Sequence, residues 1–163
     1  MKQLHAVTAL TFITIALTGL GCTTATEYWH GNVVKTIDAD QTSTLYDLLK
    51  TAELDRTLAK GGPYTVFAPS NEAFSALKPG DLQDLQKPHN RDRLVSILTY
   101  HVVQGKLLTD NLADKDEVVS MNGDSLDITR QAGQILVDGA RIIDPDIQAT
   151  NGVVHVIDEV LTP

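Results

Sequence analysis

The chain has 163 residues, 42% hydrophobic and 21% charged, the proportions of one soluble globular domain with room for a substantial core. Its 21 Asp and Glu outnumber 13 Lys and Arg for a net charge of −8, which disfavours nucleic acid and anionic lipid headgroups as partners. Cys22 is the single cysteine, so no intramolecular disulfide can form.

The first element in chain order is a targeting segment. "MKQLHAVTALTFITIALTGLGC" sets Lys2 before an apolar run from about Ala6 to Leu17 and ends in small residues, the pattern of a signal peptide over residues 1–22. No second apolar segment of spanning length follows, so the mature chain is expected to be exported. Cys22 after "GLG" resembles the lipobox of bacterial lipoproteins, whose cysteine becomes the acylated first residue. Gly21 fits that motif, and Gly19 stands where it usually has a leucine. Acylation of Cys22 is therefore expected, tethering the domain to an envelope membrane. The alternative is cleavage after residues 23–25, which discards Cys22 and gives a freely secreted protein. The expected location is the periplasm, outer membrane or cell surface; Thr23 offers no inner-membrane retention aspartate, so the lipoprotein resemblance leans toward the outer membrane.

Residues 23–32 form a short polar leader containing Trp29, and the globular texture runs from 33 to 163. "STLYDLLKTAELDRTLAKGG" spaces Leu45, Leu48, Leu49, Ala52 and Leu58 as a helix, with Ser43 or Thr44 as its cap and Gly61-Gly62-Pro63 as its stop. "YTVFA" reads as a strand buried on both faces. Helical pieces follow at about 71–77, 81–86 and 90–101. In the last of these, Leu94, Ile97, Leu98, His101 and Val102 share one face. His101 thus points inward, Tyr100 flanks that face, and Gln104-Gly105 is expected to close the helix. Two hairpins come next, turning at Asn122-Gly123 and Asp138-Gly139. The long apolar strand "VVHVIDEVL" ends the chain. Helices first and an antiparallel meander later predict an α+β fold.

Ser70, between the apolar strand and the next helix, invites comparison with a hydrolase nucleophile. A nucleophile elbow needs G-x-S-x-G, and Ala68 and Glu72 occupy its glycine positions. Ser70 fits better as a helix cap, with Glu72 at the positive end of the helix dipole. His101 and His155 read as neutral core histidines; the functional alternative makes them metal ligands or general bases. No HxH or HExxH motif accompanies them, and His30 and His89 are scattered. Asp114, Asp116 and Glu117 lack the spacing of an EF-hand and read as a solvated loop. No catalytic residue, metal site or cofactor is expected.

"YTVFAPSNEAF", "LTYHVV" and "NGVVHVIDEVL", in that order and spacing, resemble the three signature blocks of the fasciclin domain family, with similarity from about Val33 to Thr162. The resemblance implies a β wedge or sheet packed against several α-helices. It makes Ser70, Asn71, His101 and His155 members of structural motifs. It also implies an extracellular or surface-anchored adhesion module without catalysis, whose partner is a cell-surface or envelope protein or glycan. "DPDIQATNG" resembles the "EPDIM" block of animal adhesion members, with Gln148 replacing its methionine. Asp146 and Ile147 are therefore candidate partner contacts, and Tyr100 is a third by its place in the Tyr-His block. The bland reading of the same residues is that Pro145 sets a bend and Ile147 fills the core. Two other functions stay open: an envelope hydrolase or metal-dependent enzyme using His101 and His155, and a self-associating structural protein.

Overall fold

The structure, a computed structural model, describes residues 31–37, 41–78 and 80–163. The predicted signal peptide, Cys22 and Trp29 lie outside the described residues. In chain order the elements are α1 (Val33–Ile37), α2 (Ser43–Thr51), α3 (Asp55–Lys60), β1 (Tyr64–Pro69), α4 (Asn71–Ser75), α5 (Asp81–Leu85) and α6 (Arg91–Tyr100). Then come β2 (Val102–Gln104), α7 (Thr109–Ala113), β3 (Glu117–Val119), β4 (Ser125–Gln131), β5 (Gln134–Val137), β6 (Ala140–Ala149) and β7 (Gly152–Ile157). The α+β class expected from the sequence is the class observed. Among the described residues no helix is long and apolar enough to cross a membrane.

The strands form one sheet in the order β2-β1-β7-β6-β5-β4-β3. β1 and β7 run parallel, with Tyr64 opposite Gly152 and Pro69 opposite Ile157; every other pair is antiparallel. The two ends of the sheet meet at Val103 and Ser120, and the Met121 amide donates to Val102 O at 2.7 Å. The sheet thereby closes most of the way into a barrel, which hides its edges.

Strand alternation divides the core in two. Tyr64, Val66 and Ala68 of β1 face the helices, joining Ile37, Leu45, Leu49 and Leu98. Phe67 faces the barrel interior with Leu112, Leu126, Ile128, Val137 and Ile157. All six residues of β1 are buried, in accord with a strand covered on both faces. β7 must approach β1 closely, and Gly152 makes that possible: a Cβ there would sit 2.0 Å from Tyr64 O.

Four local expectations need correction. The single helix predicted over 43–60 is two, because Glu53 turns the chain at φ +59° and α3 starts afresh after Leu54. Neither Ser43 nor Thr44 caps α2 as expected; the free Thr44 amide donates to the side chain of Asn71 at 3.1 Å. Gln104-Gly105 does not end a helix. α6 stops at Tyr100, and β-branched Val102 and Val103 leave it to pair with β1. At Asn122-Gly123 the glycine alone has positive φ, in a turn closed by Gly123 N–H to Ser120 O and Ser120 N–H to Asp124 O. The Asp138-Gly139 turn does have both residues at positive φ, as does an unexpected turn at Ala132-Gly133.

Candidate functional site

The three sequence blocks fall on or beside the parallel strands β1 and β7. Ser70 precedes α4 with extended backbone, and its hydroxyl accepts from the Ala73 amide at 3.2 Å. That geometry satisfies one free donor of the helix and leaves Ser70 buried as a cap. Asn71 follows it and holds α2 through its side-chain oxygen, while its backbone amide donates to Gln41 O at 2.8 Å.

His101 closes α6 in full burial. Its Nδ1 meets Ile97 O at 2.8 Å, and its Nε2 accepts from the Leu161 amide at 3.0 Å. An N–H donor on Nε2 requires a neutral ring with its proton on Nδ1. Burial pushes the imidazole down to about 4, with the Ile97 carbonyl acting weakly in the other direction. His155 is equally inaccessible but carries the opposite tautomer. Its Nδ1 accepts from the Asp146 amide at 3.1 Å and its Nε2 donates to Leu107 O at 2.8 Å. The ring stacks on Phe67 at 5.7 Å between centroids. Burial again lowers its pKa, opposed by the Leu107 carbonyl and then by Asp146. With both nitrogens of both rings committed to backbone partners, the enzyme alternative built on His101 and His155 has no free base or ligand to use. Among the described residues no three His, Cys, Asp or Glu side chains are placed to hold a metal ion. Asp114 instead lies 4.0 Å from the Arg130 guanidinium.

Tyr100, a candidate contact in the sequence, is only 5% exposed and offers no surface. Its ring packs in the barrel core and its hydroxyl donates to Asp138 at 3.2 Å. Burial, reinforced by the Asp138 charge, pushes that hydroxyl up to about 12. Helical spacing alone had left it beside the buried face; the curved sheet closes over it.

Asp146 and Ile147 occupy a different setting. β6 gains residues over β7 between Ile142 and Asp144 and again between Asp144 and Ile147, so the strand bulges outward. Asp146 sits at the bulge with φ +59°, a conformation Asp tolerates better than most residues. Its amide turns to His155. Its carboxylate accepts from the Thr109 amide at 2.9 Å and from the Thr109 hydroxyl, fastening the bulge to the start of α7. Ile147 is half-buried against the helix-side core. The side chains that the bulge turns outward are Ile143, Asp144, Pro145 and Gln148. Ile143 is 48% exposed, a large apolar side chain in water. It was missed in the sequence because Ile142-Ile143 reads as ordinary strand, and the register shift that exposes it leaves no local mark.

One further residue had no sequence signal beyond its place in a block. Asn151 accepts from the Val33 amide at 2.8 Å and donates to Leu58 O at 2.7 Å and Gly61 O at 2.8 Å. It joins α1, α3 and the β6–β7 turn.

Comparison with known proteins was consistent with this architecture. The Fasciclin domain family matches residues 40–163. Protein sll1483 of Synechocystis is 46% identical over 121 residues, 74% of this chain and 67% of that protein. The transforming growth factor-beta-induced protein ig-h3 of Oryctolagus cuniculus is 37% identical over 82% of this chain, which spans only 19% of ig-h3. Among solved structures, a FAS1 domain pair from the insect cell adhesion molecule fasciclin I superposes with a TM-score of 0.72. The match is 20% identical and covers 83% of this chain and 52% of that one; at that identity the likeness concerns the fold.

Proposed function

The chain belongs to the fasciclin domain family, and on that premise we propose that it is an exported, envelope- or surface-associated adhesion module that works by non-covalent contact. The observation that carries this reading is the contrast at the centre of the fold. Ser70, Tyr100, His101 and His155 spend their polar atoms on internal hydrogen bonds, and groups so committed have no capacity left for chemistry. The name of the insect relative, a cell adhesion molecule, agrees with a binding role.

The contact surface we assign is the β6 bulge. Asp146 and Ile147 shape it from beneath, while Ile143, Asp144, Pro145 and Gln148 meet the partner, a cell-surface or envelope protein or glycan. An apolar side chain beside an acid on a rigidly pinned bulge suits a small, specific contact. Acylated Cys22 would tether the domain and raise its local concentration at that partner.

The test is adhesion of beads carrying residues 23–163 to cells and envelope fractions, wild type against Ile143→Ser/Asp144→Ala, with circular dichroism on both. Saturable binding that falls by roughly tenfold or more in a folded double variant supports the assignment. Undiminished binding moves the surface elsewhere, and no binding to any fraction overturns the adhesion reading. Labelled fatty acid incorporated by the wild type and not by Cys22→Ser would establish the tether.

A further inference from the structure

The sequence contains two Asn-Gly pairs, Asn122-Gly123 and Asn151-Gly152, and the fold treats them oppositely. The Asn151 amide is locked by three hydrogen bonds. Gly152 behind it is buried in the sheet with Tyr64 as its register partner. Asn122 stands in the turn between β3 and β4. Its Nδ2 donates to Asp124 at 2.6 Å and its Oδ1 receives only a long 3.4 Å contact from Ser96. Gly123 is exposed, its φ is +98°, and a Cβ built on it would meet open space. The Gly123 amide is held by one turn hydrogen bond, to Ser120 O at 3.0 Å, and such a bond at an exposed loop tip opens at little cost.

We propose that Asn122 is a site of spontaneous covalent modification, converting to aspartate and isoaspartate through a cyclic imide. Glycine has no side chain to hinder its own nitrogen. When the turn bond opens, the Gly123 nitrogen loses its proton to hydroxide and attacks Cγ of Asn122. A C–N bond forms, the Cγ–Nδ2 bond breaks, and Nδ2 leaves as ammonia after taking a proton from water. Water then opens the five-membered ring. Cleavage at Cγ gives aspartate; cleavage at the backbone carbonyl gives isoaspartate. One water enters, one ammonia departs, and nothing is oxidised or reduced.

The position gives the change a structural consequence. Ser120 and Met121, in the same turn, make the contacts with Val103 and Val102 that close the barrel. Conversion replaces a donor to Asp124 by a like charge, and the isoaspartate form also lengthens the backbone there. The barrel seam therefore loosens as the molecule ages.

The experiment incubates the full chain at mildly alkaline pH and 37 °C, then maps peptides by mass spectrometry and detects isoaspartate with an isoaspartyl methyltransferase. In the folded chain the Asn122 peptide is expected to convert on the order of tenfold or more faster than the Asn151 peptide. Its rate should rise with hydroxide, and Asn122→Gln should abolish the signal at that site. In denaturant the two sites should converge. An Asn122 peptide that keeps its amide when folded yet converts in denaturant would overturn the proposal, as would equal rates at the two sites in the folded chain.

Discussion

The parallel pair β1 and β7 and the wing formed by β3, β4 and β5 are built from similar apolar residues but meet solvent differently. All twelve residues of the pair are buried. In β4 only Leu126 and Ile128 are, with Asp127 exposed between them and Ser125 and Thr129 exposed on either side. The pair is covered by helices on one side and by the barrel on the other, whereas the wing supplies one wall and faces water. The sequence blocks that mark the family fall on or beside the pair. Those blocks build the scaffold, and the surface we propose as the partner contact lies elsewhere, on the β6 bulge.

The comparison breaks most visibly at Phe67. Phe67→Ala removes a fully buried ring that also stacks on His155, and should cost about 3–5 kcal/mol in denaturant unfolding. A loss below about 1 kcal/mol would mean that the pair is not the centre of the fold. Acid should act on the same region. His101 is held neutral with its pKa lowered from 6.5 to about 4, so between those values the unfolded chain binds a proton that the folded chain refuses. Stability is then full above about pH 6.5 and falls by roughly 3 kcal/mol as pH drops towards 4. His155, shifted in the same direction, steepens the loss. Unfolding midpoints across that range in His101→Gln, which cannot titrate, should show a shallower slope than wild type.

Smaller effects sharpen the contrast. Ser70→Ala removes the cap of α4 and should cost about 1 kcal/mol, read as a lowered thermal midpoint. A cost near zero would place the restraint on α4 in its neighbours. In the wing, Val119 is 58% exposed, and Val119→Thr should change stability by no more than about 0.5 kcal/mol. A larger loss would show that the β3 edge is covered in solution.

Local patterns made part of this legible. The uninterrupted "YTVFA" run foretold β1, the Asp138-Gly139 pair foretold its turn, and Ser70 with Glu72 foretold the start of α4. Features set by distant partners were hidden. Tyr64 and Gly152 pair across most of the domain, so the parallel contact has no local signature. The turn at Ala132-Gly133 escaped because alanine seldom adopts the φ of +52° it takes there. α1 and α7, each five residues long, are too short to display a helical period. At the candidate site Asp146 and Ile147 drew notice through a resemblance, but their inward roles depend on Thr109 and on a register shift that sequence does not display.

The central claim is that the histidines belong to the scaffold, and the most direct measurement is a nitrogen-15 NMR titration of both imidazoles in the folded chain. The structure predicts two neutral rings of opposite tautomer, His101 protonated on Nδ1 and His155 on Nε2. His101 should not titrate near the ordinary 6.5 while the fold persists, and His155 should titrate below it. A ring that titrates there, or matching tautomers at the two sites, would contradict the account and return an accessible imidazole to the list of functional groups.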